Sequence, residues 1–303
     1  MPIRMARFPN WGHGAAGLLV ALAVMAGPSF GAEPLLVHVH GLFFSRDGKS
    51  LFVPSHTGLA VFRDGTWSEA NGPIHDFAGF SMSEKAMYAS GHPPPGSSLP
   101  DPLGLVKSAD GGETWQSLSL GGKADFHLIA AGYRSGAVYV LSSRPNKAMP
   151  NPGLHVTRDE GRTWRRASAR GLEGEIFGVS AHPQEAGTIA IATSAGLYLA
   201  RDGGESFRRI DRRQAATAVA FDIDGKHIRY ARSVRRELVS VALEGKFRVV
   251  VRLPPIGLDY ATHIAQSPAD ARVLAIATDR RHVYVTRDGG STWRQIAKDG
   301  DLP

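Results

Sequence analysis

The chain has no cysteine, no long apolar run beyond its first thirty residues, and no stretch of sustained helical periodicity. The first absence excludes disulfides, a lipid anchor on cysteine and a thiolate metal site. The second excludes membrane-spanning helices in the body of the chain, since a span needs about 20 apolar residues. The third excludes helical bundles and alternating helix–strand folds. Stability must therefore come from a packed β core.

What the chain does have begins at its amino end. Arg4 and Arg7 precede an apolar run at 15–27, and Pro28-Ser29-Phe30-Gly31 follows. This is the three-part layout of a secretory signal peptide. Cleavage after Gly31 places small Ser29 and Gly31 at the two required positions, whereas cleavage after Ala32 would place bulky Phe30 there. An uncleaved anchor is the alternative, but the run is shorter than the about 20 residues of a span. Residues 1–31 are thus expected to be a leader. Residues 32–303 are expected to form one periplasmic or secreted domain with no transmembrane anchor.

Lys and Arg number 35 against 28 Asp and Glu, and arginines crowd 162–170, 207–213 and 229–236. A basic surface suits acidic glycans, lipid faces or nucleic acid. An exported protein rarely meets nucleic acid, and arginine is also a common solvated residue on β edges, so no nucleic-acid partner is expected.

An internal repeat organises the rest. SADGGETW (108–115), TRDEGRTW (157–164), ARDGGESF (200–207) and TRDGGSTW (286–293) share one pattern, with a shortened copy ending at Trp67 and a worn one at Phe247. The closing aromatics Trp67, Trp115, Trp164, Phe207, Phe247 and Trp293 recur roughly every 45 residues, the length of one four-stranded propeller blade. Short β-branched strands and Gly-, Pro- and Asp-rich connections agree. The reading is all-β: a six-bladed β-propeller of four-stranded antiparallel blades, with seven blades the alternative count. In each repeat turn, Gly takes the positive φ and the Asp carboxylate is placed to accept the turn's own amides. The aromatic then packs between blades.

This pattern resembles the Asp-box (BNR) repeats of sialidases and sortilin-type receptors. The resemblance covers the whole chain after the leader. It implies that the boxes are scaffold, remote from any active site and usually without calcium. Sialidases also carry an Arg-Ile-Pro motif on an early inner strand, where this chain has HVHGLFF (38–44), and the motif occurs nowhere else. Sialic acid hydrolysis is therefore not expected. HVHGL, SHTGL, HDFAGF and SGHPPPG together resemble bacterial exported Asp-box proteins labelled glycosyl hydrolases.

Inner strands line a propeller's channel. Aligned on their apolar residues, they put His40, Asp76, His127 and His263 at one level, with Phe177 and Thr217 in blades four and five. His38, Asp125 and Glu175 fall one step further out, and His75 adjoins Asp76. His56 and His92 end two second strands at the same mouth. Two proline-rich loops, 92–104 and 143–153, are expected to frame it as a stiff rim. Imidazole suits copper, zinc, iron or nickel, and a carboxylate can complete a site or orient an imidazole. His38, His40, His56, His75, Asp76, His92, His127 and His263 are therefore candidate ligands for copper or zinc, with no organic cofactor implied. The blander alternative is a set of channel histidines bonded to water and to one another. His155, His182, His227 and His282 are read as ordinary. Two further readings stay open. Asp76, Asp125 and Glu175 could supply a glycosidase's acid pair or bind a glycan at the same mouth. The arginine-rich side, including Arg208, Arg209 and Arg213, could dock another exported protein. A monomer is expected.

Overall fold

The computed structural model describes residues 36–212, 214–243 and 248–303. The expected leader, Arg213 and most of the worn repeat ending at Phe247 lie outside the described residues. No helix long and apolar enough to cross a membrane occurs among them.

Six four-stranded antiparallel sheets, each of four consecutive strands, form a six-bladed propeller. The innermost strands are Phe43–Phe44, Asp76–Met82, Ile129–Ala131, Ile176–Ala181, Ala216–Phe221 and Ala261–Gln266. The second and third strands are buried along most of their length, as in Ile189–Thr193 and Gly196–Ala200 of blade four. Both faces of these strands bury apolar side chains, because each blade is covered by a neighbour on either side. The core is accordingly divided into six apolar clusters, one between each pair of neighbouring blades. The repeat aromatics among the described residues sit in these clusters, Phe207 between blades three and four and Trp115 between blades one and two.

The repeat turns hold themselves together. Asp159 accepts from the Thr157 hydroxyl (2.8 Å), the Thr163 amide (2.9 Å) and the Thr163 hydroxyl (2.6 Å). Asp288 repeats the set with Thr286 and Thr292, and Asp110 with Ser108 and Thr114. These bonds, led by the threonine hydroxyl, pull Asp110 and Asp159 down to about 2. With their acceptor positions taken internally, the carboxylates are poorly placed to bind calcium. Blade one solves the same problem in two residues: Asp64 (φ 52) and Gly65 (φ 89) are both left-handed, giving the type I′ hairpin that suits twisted strands.

Among the described residues no strand is shared between the first and last blades. The ring closes instead by the Leu36 amide on Gly300 O (2.8 Å) and the Trp67 indole on Ile296 O (2.7 Å). Leu36 and Leu302 fill the apolar cluster behind these bonds.

Part of the arginine excess is internal. Arg232 is 3% exposed and donates to Asp211 and Glu237, while Arg248 reaches the same Asp211 from the outer strand. Arg229 makes a two-pronged pair with Asp222.

Candidate functional site

The inner hairpins fix the level of every channel residue. Phe44 faces Leu51, Met82 faces Met87, Ala131 faces Val138, Ala181 faces Ile189, Phe221 faces Ile228 and Gln266 faces Leu274. Counting back equally from these pairs, His38, Asp76, Asp125, Glu175, Ala215 and Tyr260 form the outermost ring. Two residues deeper come His40, Ala78, His127, Phe177, Thr217 and Thr262. The expected alignment needs correcting at two places. Asp76 belongs to the outer ring with His38, and His263 lies one residue below His40 and His127. Four inner strands also share a bulge at the second ring, at Ala78, Phe177, Thr217 and Thr262. Apolar pattern alone does not reveal such an extra residue.

Three of the candidate imidazoles converge. His38 Nδ1 is 3.1 Å from His56 Nε2, and His40 Nε2 is 3.2 Å from the same atom. These three donor atoms all lie within 4.8 Å of one another. The other nitrogen of His56, Nδ1, is bonded to the Asp76 carboxylate. The backbone brings them together. The His40 amide donates to Pro54 O and the His56 amide to Val37 O, pinning the 37–40 segment to the end of the second strand. His38 itself has φ 59, a left-handed conformation that a β-carbon resists. The His-x-His pair therefore does not project from one regular strand. It converges through a local kink. Burial, and then the nearby His56, lower the His38 pKa, and burial lowers that of His40 well below the ordinary imidazole range.

A second polar group lies on blades two and three. His127 Nε2 is 2.9 Å and His92 Nε2 is 3.9 Å from Asp125 Oδ2. His92 Nδ1 is bonded to Asp101 at 2.5 Å. Burial opposes charge on His92, but the Asp101 bond and the charges of Asp125 and Asp101 outweigh it and raise its pKa. Burial likewise opposes charge on Asp125, but its bond to His127 together with the neighbouring His127, His92 and Arg144 outweighs that and lowers its pKa. Asp101 belongs to the proline-rich loop and was not singled out in the sequence. Its only signal was a carboxylate in a loop already expected at the mouth.

The other candidates lie apart. His263 lines the channel with Nδ1 3.0 Å from the Thr262 hydroxyl, and burial pushes it down to about 4. His75 is 0% exposed and turns away from the mouth, edge-on to Phe77 and Trp115, with both ring nitrogens buried and unpartnered. The four histidines read as ordinary include turn-closers: His182 Nδ1 accepts the Glu185 amide, and His282 Nδ1 the Asp299 amide. Tyr260 and Asp279 complete the rim beside His38. Sequence patterns gave no sign of them, because each is single in its repeat.

With this geometry in view, comparison with known proteins is informative about the scaffold. No known family model matches the chain. A xyloglucanase of Hypocrea jecorina (strain QM6a) is 30% identical over 114 residues, covering 35% of this chain and 14% of that enzyme. The Niastella koreensis GH74 enzyme superposes with a TM-score of 0.59 at 14% identity, over 88% of this chain and 46% of that one. A chain of a nidogen/laminin complex gives 0.61 at 12% identity, over 84% and 95%. The shared feature is the propeller. The chain spans less than half the length of the two glycosyl hydrolases that it resembles, and these likenesses carry the fold, not the mouth.

Proposed function

We propose that the mouth binds a transition metal ion, copper or zinc, through His38 Nδ1, His40 Nε2 and His56 Nε2. The observation that carries this reading is the crowding around His56. Its Nδ1 is engaged by Asp76, so its Nε2 can take part in one ordinary hydrogen bond, yet two imidazole nitrogens lie 3.1 and 3.2 Å away. A single cation between the three nitrogens resolves that conflict. The separations also fit: ligands at about 2.0–2.1 Å in a tetrahedron sit about 3.3 Å apart. Asp76 behind His56 is the outer carboxylate that fixes ring orientation at many metal sites. Three imidazoles leave a fourth position for water or a small ligand, which suits Lewis-acid chemistry or ion transfer.

The test is elemental analysis of protein purified from a periplasm without chelators. About one equivalent of copper or zinc is expected, and none in His40→Ala or His56→Ala. Protein that arrives without metal and rejects added copper and zinc overturns the reading.

The xyloglucanase match supports a second reading, a glycan-binding or glycan-cleaving mouth built on Asp76, Asp125 and Glu175. Its distinguishing result is sugar binding or turnover that survives chelation. The repeat turns support placing the chain among the Asp-box propellers, and the leader motif supports a periplasmic or secreted location. A docking role for the arginine-rich side predicts instead that mouth variants are silent while charge reversal at Arg208 and Arg209 breaks a complex.

A further inference from the structure

Below the histidines the channel changes character. A cavity of about 900 Å³ runs along the axis, from Ser233, Tyr260 and Asp279 at the mouth to Pro183, Ile223 and Pro268 at the far hairpins. Six residues of inner strand at about 3.3 Å each make it about 20 Å deep. Its volume falls within the roughly 300–1,000 Å³ of small-molecule sites. Its waist is formed by Phe43, Phe80, Leu128, Val179, Ala220 and Ile264. Asp279 and the four histidines His38, His40, His127 and His263 are the only ionisable side chains, tyrosines aside, on the described wall. All but His263 belong to the two outer rings or the rim.

Of the polar residues further down, Ser81, Ser180 and Gln266 are already engaged, whereas the Tyr133 hydroxyl is buried without a hydrogen-bond partner. The Ser81 hydroxyl accepts the Ala131 amide (2.8 Å) and that of Ser180 the Phe221 amide (3.0 Å), each from the next blade. The Gln266 carboxamide accepts the Ile223 amide and donates to Ala271 O. These bonds also remove two edge amides of the inner strands, and that of Ile223 just beyond one, from the channel. Ordered water needs two to four polar partners, and the waist side chains offer it few. A wall that is polar at one end and apolar along the rest matches an amphiphile rather than a water column or a sugar.

We infer that the channel is a binding site for a single-tailed amphiphile of the fatty-acid class, its alkyl chain along the axis and its head group among His40, His127 and His263. The tail contributes most of the affinity through apolar burial, so binding does not require the metal. The head sets the direction of entry from the histidine mouth.

The test is calorimetric titration of chelator-treated protein with dodecanoate. One saturable site with a negative heat-capacity change is expected, the mark of apolar burial. Val179→Trp and Ala220→Trp place an indole in the waist from two different blades. Either variant that retains the wild-type circular dichroism and melting temperature should bind dodecanoate at least tenfold more weakly. Absence of saturable binding to wild type overturns the inference. So does undiminished binding to a folded blocked variant, which would place the fatty acid on the exposed surface instead. Because the titration uses metal-free protein, its failure leaves the metal reading intact, and failure of metal uptake leaves this inference intact.

Discussion

The two halves of the mouth make an internal comparison. Blades one to three present His38, His40, His56, Asp76, His92, Asp125 and His127. Equivalent levels on blades four to six hold Glu175, Phe177, Ala215, Thr217, Tyr260 and Thr262, beside Val234 and Leu258, which are 80% and 90% exposed. The four-stranded blade is common to both halves, although the bulge lies on blades two, four, five and six and the His38 kink on blade one. A phenylalanine or a threonine satisfies the fold at the second ring of blades four, five and six. The imidazoles are not a requirement of the propeller, and their concentration in one half calls for a chemical reason.

The comparison is broken most severely by emptying the rich half. His40→Ala with His56→Ala should lower copper or zinc affinity at least a hundredfold by competition titration, with the far-ultraviolet spectrum unchanged. Asp76→Asn should cost about 10- to 100-fold, because the ring of His56 loses its carboxylate anchor while every ligand nitrogen remains. An unchanged affinity in Asp76→Asn would detach the second ring nitrogen of His56 from the site.

The pH response gives a third test. His263 has a folded pKa of about 4, below the ordinary 6.5, so the folded state disfavours its proton. Between these values the unfolded chain binds more protons, and stability rises with pH. Melting temperature should therefore fall as pH drops from 6.5 towards 4, and His263→Gln should flatten that slope. A slope unchanged in the variant would assign it to other groups.

Smaller effects are expected elsewhere. Trp67→Phe removes the indole bond to Ile296 and should cost about 1 kcal/mol in a urea titration. In the poor half of the mouth, Val234→Ser and Leu258→Ser should change stability by no more than about 0.5 kcal/mol and leave metal affinity untouched. A large loss of metal affinity there would mean that the two halves act as one site.

Much of this was legible in the residues, unevenly. The Asp-Gly turns and their aromatics marked every blade but the fifth, whose copy is worn, because such a turn is a local structure whose acceptors and donors lie within a few residues. The histidine mouth was legible as a gathering. Its inner order was not, since an alternating apolar pattern repeats every two residues and does not fix how far along the axis each inner strand is set. The kink at His38 was equally hidden, being imposed by Pro54 and Val37 carbonyls across a strand end. His75 was read with the mouth because it adjoins Asp76. Neighbours on a strand face opposite ways, and it packs against Trp115 instead.

The six residues from Leu36 to Gly41 join two features so far treated apart. Leu36 fastens the last blade to the first, and His38 and His40 follow directly in the same segment. An ion held by His38, His40 and His56 would therefore act as a clasp on the seam of the ring. At a free concentration a hundred times Kd, such a ligand adds about 2.7 kcal/mol against any opening that undoes its site. Hydrogen exchange at Leu36 and Trp67 would then report occupancy of the mouth from the outside of the ring, and the propeller would sense its ligand as resistance to unwinding.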